Sequence, residues 1–415
     1  MNSFQGKDSY RNKAADETDN RWEELITRNG DLHARNGEIR TEFARDYDRI
    51  LHSLAYRRLK HKTQVFFNIE NDHICTRMEH VAHVESASHS IASYLGLNTE
   101  LTSAIAIGHD LGHAPFGHQG EKIIDEISRR HLNRPFWHEQ NSLRFADKIE
   151  LLRNTDDTSG NLCLTYAVRD GIISHCGEVD ENGLRPRDEI IDLDTFTKPG
   201  EYAPATWEGC VVKISDKIAY VGRDIEDAAA LGFLNDRDKR ELDELAQECG
   251  VSSINTTVLM HELITDACMN SGPENGICLS PKYVRLLDEV KDYNYRHIYN
   301  NPRFTAFFRY SQLVLEQLFE TLAGYYDHEN TFYRLQGEMK HYPTLIASFR
   351  EWLAQYCDTG IVPDGELRKT AMNCRNAKIY GGLENRQIYE QAVLDYMAGM
   401  TDRFAVKVFN ELITY

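Results

Sequence analysis

Nine of the 17 histidines fall between His73 and His138, a window of 66 residues in a chain of 415. Even scatter would place about three there. Imidazole is the commonest transition-metal ligand and the side chain best matched to proton transfer near neutral pH. The densest part reads HDLGHAPFGH over 109–118, three histidines and an aspartate interrupted by glycine and proline. Such a stretch is either a polar surface loop or the floor of an active site. Any one of these histidines, taken alone, is more often a surface or satisfied core residue; it is the density that favours chemistry.

The flanking residues predict the elements that hold them. Thr76 and Glu79 form a T-x-x-E capping box, the start signal of a helix. Val84, Ile91 and Leu95 supply its buried stripe, and Gly96 stops it. His80 then projects from the first turns, and Arg77 sits at the positive helix end, where an anion is stabilised. Asn98 caps a second helix that runs through Leu101, Ile105 and Ile107 and is expected to end near Gly112, with His109 and Asp110 in its last turn. Pro115 prevents continuation, so the next loop can set His113 and His118 beside them. A further ligand must come from elsewhere, and 211–232 offers one. Ile214, Ile218, Val221 and Ile225 form a core stripe there, while Asp216, Tyr220 and Asp224 recur at i, i+4 and i+8 on another face. A solvated helix face would show the same row.

With 41% hydrophobic and 27% charged residues, the chain can bury a sizeable core. Sixty-five acidic against 47 basic residues leave a net charge of −18, which disfavours wholesale attraction to nucleic acid or anionic lipid. No secretory signal is expected, since residues 1–20 lack an apolar run, and no stretch of 18 apolar residues occurs. Nine cysteines, an odd number without a C-x-x-C, argue against a disulfide framework or a cysteine zinc site and point to the cytoplasm. Helical spacing starts at Phe43, Tyr47, Ile50, Leu51 and Leu54 and is strong over 311–326 and 388–413, whereas alternating strands are scarce. The expected fold is all-α: a polar segment over 1–40 with a disordered tip, a catalytic core over 41–235, and a helical region over 236–415 packed on it. Residues 176–208 read as a long loop. There is neither a P-loop nor a dinucleotide-binding glycine fingerprint, so side chains and metal would have to hold any phosphate.

Arg77 and His80 as R-x-x-H, the His109–Asp110 pair and the distant Asp216 together resemble the HD-domain metal-dependent phosphohydrolases. Five stretches in order are similar to the deoxynucleoside triphosphate triphosphohydrolase branch, the bacterial dGTPase-like family. They are RTEFARDYDRILHSLAYRRLKHKTQVF, HDLGHAPFGHQGE, WHEQNS, SDKIAYVGRDIEDA and DYMAGMTDRFA. The likeness is dense over 40–140, good over 210–228 and present at 395–405; 176–208 and 235–380 carry no matching motif.

This resemblance implies an HD-type helical core and a homo-oligomer, often a hexamer. It implies one divalent metal ion held by His80, His109, Asp110 and Asp216, a donor set open to Mn, Mg, Fe, Co, Ni or Zn. Such an ion would polarise the α-phosphoryl group and orient water. His118 and Glu121 are expected to act as a catalytic His–acid pair, with His113 and His138 as further phosphate-binding or proton-transfer residues. Arg77 and Lys217 are the expected phosphate clamps. Tyr220 would lie against the sugar, with Asp224 and Gln64 on its 3′-OH. The basic run Arg57, Arg58, Lys60, His61, Lys62 is a candidate for a regulatory nucleotide or single-stranded DNA, although a solvated helix face is the favoured reading. The expected reaction converts a deoxynucleoside triphosphate to deoxynucleoside and inorganic triphosphate. The alternatives are another HD phosphohydrolase, acting on nucleoside monophosphates, cyclic nucleotides or alarmones, and a nucleotide- or single-strand-binding regulator. The intact ligand set and the acidic charge weigh against the regulator.

Overall fold

A computed structural model of the chain describes residues 9–30, 32, 37–67, 71, 73–176 and 182–414. It is all-α as expected: eighteen α-helices and one antiparallel ribbon, Leu152–Arg153 with Ser159–Gly160, lie among the described residues. None of these helices is long and apolar enough to cross a membrane. All nine cysteines are free thiols.

Helix Arg77–Leu95 begins at the capping box, where the Glu79 carboxylate accepts the Thr76 N–H at 2.8 Å, and ends at Gly96 in the left-handed conformation. The Asn98 side chain accepts the N–H groups of Glu100 and Leu101 and opens helix Thr99–Gly108. That helix closes at Gly108, earlier than its spacing predicts, and residues 109–112 continue as turns. Helix His138–Arg144 explains the change. Gly112 N–H donates to Ser142 Oγ at 2.9 Å, and Asn141 Nδ2 donates to the Gly112 carbonyl. A Cβ on Gly112 would fall 2.2–2.5 Å from backbone atoms of Asn141 and Ser142, so only glycine lets the two segments meet. The WHEQNS stretch thus grips the HDLGH turn. Beyond Pro115 the chain reverses through Phe116, a non-glycine residue at φ +66°, into helix Gly117–Leu132.

Helix Trp207–Ala230 is the axis of the molecule. Val212 and Ala219 enter one core with residues of helices Glu42–His52, Thr99–Gly108 and Tyr166–Ser174. Ile214, Ile218, Val221 and Ile225 enter a second core with Leu259, Leu263, Leu286 and Val290. The Asp216–Tyr220–Asp224 row lies between the two and is no solvated face: Asp224 is buried and Tyr220 half-buried. Region 236–415 divides accordingly. Helices Thr256–Asn270 and Pro281–Asn294 pack on 207–230, whereas Phe304–Ala323 and Arg386–Ala398 pack on 117–132.

Two sequence expectations change, and the 176–208 stretch, a loop where it is described, proves anchored. The polar N-terminal segment is built into the body over 9–30: Tyr10, Ala15 and Leu25 are buried, and Arg28 pairs with the buried Asp46. The tip expected to be disordered, residues 1–8, lies outside the described residues. The loop read over 176–208 is anchored where it is described, with Arg187 paired to buried Asp170 and Leu193 and Phe196 in the core. The basic run does not present one solvated face either. Arg58 binds the buried Glu150, and Lys62 is wholly enclosed, donating to the carbonyls of His113 and Ala398.

Candidate active site

Two helices and one turn bring four ligand-type side chains together. His80 and Asp216 meet across the 77–95 and 207–230 helices, with Nε2 to Oδ1 at 3.0 Å. His109 Nε2 lies 3.7 Å from Asp110 Oδ1 and 4.0 Å from Asp216 Oδ1. His109 Nδ1 faces the Ala106 carbonyl at 2.6 Å, which makes Nδ1 the protonated nitrogen and leaves the Nε2 lone pair pointing into the cluster. That Nε2 is buried and finds no hydrogen-bond partner. His80, His109 and Asp110 offer ligand atoms within 4.8 Å of one another. An orphaned imidazole nitrogen, a second imidazole and two carboxylates at this spacing fit a divalent cation.

Arg77, expected as a phosphate clamp, donates through Nη1 to Asp110 Oδ2 at 2.8 Å and is 2% exposed. Its Nη2 and Nε stay without partners. Burial opposes ionisation of Asp110, but the charge of Arg77 outweighs it and holds the carboxyl well below its usual range. Asp216 is likewise lowered against burial, chiefly by the His80 hydrogen bond and charge and then by His109. Lys217, next in sequence, is buried.

Beside this cluster stands a second one. Glu121 faces His118, Nδ1 to Oε2 at 3.5 Å, as the i, i+3 spacing predicts, but it is shared. It accepts the His138 backbone N–H at 2.8 Å and His138 Nδ1 at 3.1 Å. Burial alone would lower the His138 pKa; Glu139 and Glu121 outweigh it and raise it to about 10, so the ring is an imidazolium. Glu121 is held well below its usual range against burial, by His138 and then His118. His113 stacks on His138 at 4.7 Å between centroids, is fully buried and is driven neutral by burial and by the charges of Arg77 and His138. His118 is 61% exposed and stands at the mouth. His175 and Glu139 complete the wall. Burial, then His109 and His138, lower the His175 pKa to about 3, so that ring is neutral. The sequence reading missed both: Glu139 sits inside the quoted WHEQNS, while His175 lies outside the histidine-rich window.

Farther along 207–230, Asp224 accepts a hydrogen bond from the Tyr299 hydroxyl. Burial raises its pKa to about 6, partly countered by that bond. Tyr299 comes from the motif-free region, and no local signal marks it. Gln64 lies two residues after Lys62, which bonds the His113 carbonyl, and its Oε1 is buried without a partner.

An all-helical body carrying a histidine from one helix, a His–Asp pair from the turn that ends the next and an aspartate from a third helix defines an HD-domain protein, and the HD domain family model matches residues 77–220. The likeness then extends over most of the chain. It is 33% identical over 376 residues to a deoxyguanosinetriphosphate triphosphohydrolase-like protein of Caldanaerobacter subterraneus subsp. tengcongensis, covering 90% of this chain and 86% of that one. Proteins of the same description from Desulfatibacillum aliphaticivorans and Rickettsia bellii are 31% and 29% identical, each over 90% of this chain and over 88% and 92% of their own lengths. The chain belongs to the HD-domain deoxyguanosinetriphosphate triphosphohydrolase-like family and is a phosphohydrolase.

Proposed function

We propose that the protein hydrolyses deoxynucleoside triphosphates to deoxynucleoside and inorganic triphosphate, with His80, His109, Asp110 and Asp216 holding one divalent metal ion. The observation that carries this reading is the pair of carboxylates on one helix. Asp216 sits among the imidazoles, and Asp224 lies two turns on, about 12 Å along the axis, next to a hydroxyl donor. That span matches the reach from an α-phosphate to the far side of a deoxyribose. The relatives' printed description, deoxyguanosinetriphosphate triphosphohydrolase-like, supports the same class of substrate.

A metal ion bound to the four ligands supplies Lewis-acid stabilisation of the α-phosphoryl oxygens. The chain's own residues do the rest. Arg77 keeps Asp110 ionised and turns its other oxygen toward His109. The His138 imidazolium, charged through Glu121 and Glu139, faces the polyphosphate electrostatically. His118 at the open side, oriented by Glu121, moves a proton: attack forms one bond from water to the α-phosphorus and breaks the bond to the 5′-oxygen. One proton leaves the water and one arrives on the departing nucleoside. Asp224 accepts the 3′-OH, Tyr220 lies against the sugar, and Lys217 and the free face of Arg77 meet phosphate.

The test is a screen of the purified protein against dNTPs, NTPs and nucleoside monophosphates with Mn or Mg, run in ¹⁸O-water. Triphosphate is expected as the first product, carrying the label. Pyrophosphate released first, label in the nucleoside, or turnover of monophosphates alone would overturn the reading.

A further inference from the structure

The DYMAGMTDRFA stretch at 395–405 has no place in the chemistry above, yet it reaches the site. Asp402 is buried at the start of helix Asp402–Ile413, and its two carboxylate oxygens hold two separate backbone strands of the active-site wall. Oδ2 accepts the Thr63 N–H at 2.9 Å; Oδ1 accepts the Phe116 N–H at 2.9 Å. Lys62, one residue before Thr63, donates from its buried Nζ to the carbonyl of His113 and, at 3.0 Å, to that of Ala398. Four hydrogen bonds thus tie three segments distant in sequence: 62–64, 113–116 and 398–402.

Two of the three tied segments bear or adjoin a proposed functional residue. Gln64 follows Thr63. His113 and His118 bracket the loop, and its pivot, Phe116, sits at φ +66°, a conformation that costs energy for a side chain with a Cβ. A strained, non-helical loop needs its backbone donors satisfied from outside, because a buried N–H without an acceptor is costly. Asp402 is the acceptor for this one, and a carboxyl group that accepts one N–H on each oxygen anchors both segments at once.

We propose that Asp402 and Lys62 are positioning residues: a clasp from the C-terminal helices that sets the His113–His118 loop against the Gln64 segment. This rests on the triphosphohydrolase reading only for its kinetic readout. Helix 402–413 carries its own control. Glu411, at the other end, uses both carboxylate oxygens to accept the N–H groups of Thr344 and Leu345, each at 2.9 Å, away from the site. The two acids make the same kind of contact from one helix, and only one of them touches the active-site loop.

The experiment compares Asp402→Asn with Glu411→Gln in the full-length protein, with Lys62→Met as a second break in the clasp. Each amide keeps one acceptor and loses the other. Hydrogen exchange of the amides over 113–117 and 63–67 is read first and needs no substrate. Exchange there should quicken at least tenfold in Asp402→Asn and Lys62→Met and stay at the wild-type rate in Glu411→Gln. With the best dNTP from the screen, kcat/KM should fall tenfold or more in the two clasp variants, mostly in kcat, with metal content retained. Equal exchange and equal kinetics in Asp402→Asn and Glu411→Gln would overturn the clasp. Should Asp402→Asn fail to fold, Lys62→Met decides by the same two readouts. If the wild type turns over no dNTP, the functional reading fails while the exchange data still judge the clasp.

Discussion

Asp216 and Asp224 share a residue type and a helix, and their pKa values move in opposite directions. Asp216 faces His80, whose hydrogen bond and charge overcome the cost of desolvation and keep it ionised. Asp224 faces a neutral tyrosine hydroxyl, and burial wins, lifting its pKa to about 6. The difference teaches that the 207–230 helix is graded along its length. One end sets a carboxylate against imidazoles, an arrangement that suits a cation, and the other holds the Tyr299 hydroxyl. Desolvation opposes ionisation at both; the charge of the partners decides.

The largest break in this comparison comes from Asp216→Ala. It removes a charged ligand, so activity should drop on the order of 10³-fold or more, since several kcal/mol of transition-state stabilisation are lost with the ion. Metal analysis of the purified variant checks it: full metal content with normal turnover would show that Asp216 is no ligand.

Asp224→Ala should act on the other socket alone. Metal content stays at the wild-type level, and kcat/KM for dNTPs falls roughly 10²-fold, the worth of a buried carboxylate–hydroxyl bond. For 2′,3′-dideoxynucleotides, which lack the hydroxyl, the variant and wild type should be nearly equal. Equal losses for both classes of nucleotide would separate Asp224 from the 3′-OH.

The smallest effect sharpens the contrast without substrate. The Asp224 carboxyl holds its proton more tightly in the fold, near pH 6, than in an unfolded chain, near 3.8. A raised carboxyl stabilises most below the unfolded value, and that contribution is lost as pH rises through 6. Asp224→Asn keeps an acceptor for Tyr299 and removes this titration. The stability of the variant relative to wild type should therefore rise by about 2 kcal/mol between pH 4.5 and 8. Urea melts of the metal-free protein at the two pH values measure it. A difference independent of pH would mean that Asp224 is ionised throughout, like Asp216.

The local architecture was legible in the residues themselves. Thr76 with Glu79, Gly96 and Asn98 mark helix ends through bonds to neighbours three or four positions away, and the structure shows those bonds. The isoleucine–valine stripe of 211–232 likewise announced a core face, because helical periodicity is a property of consecutive residues. The sequence by itself therefore determined an all-helical chain with His80, His109 and Asp110 on adjoining elements. Tertiary structure alone decided how the groups pair. Glu121 looked committed to His118 three residues before it, yet its nearer partner is His138, brought in by the grip of Asn141 and Ser142 on Gly112. Tyr299 reaches Asp224 across 75 residues, and Asp402 reaches Thr63 across 339. No spacing rule encodes such contacts, because they depend on how the packed cores align distant backbones. The polar segment 9–30 belongs to the body for the same reason: a few apolar side chains, Tyr10 and Leu25 among them, find cores formed by residues far along the chain.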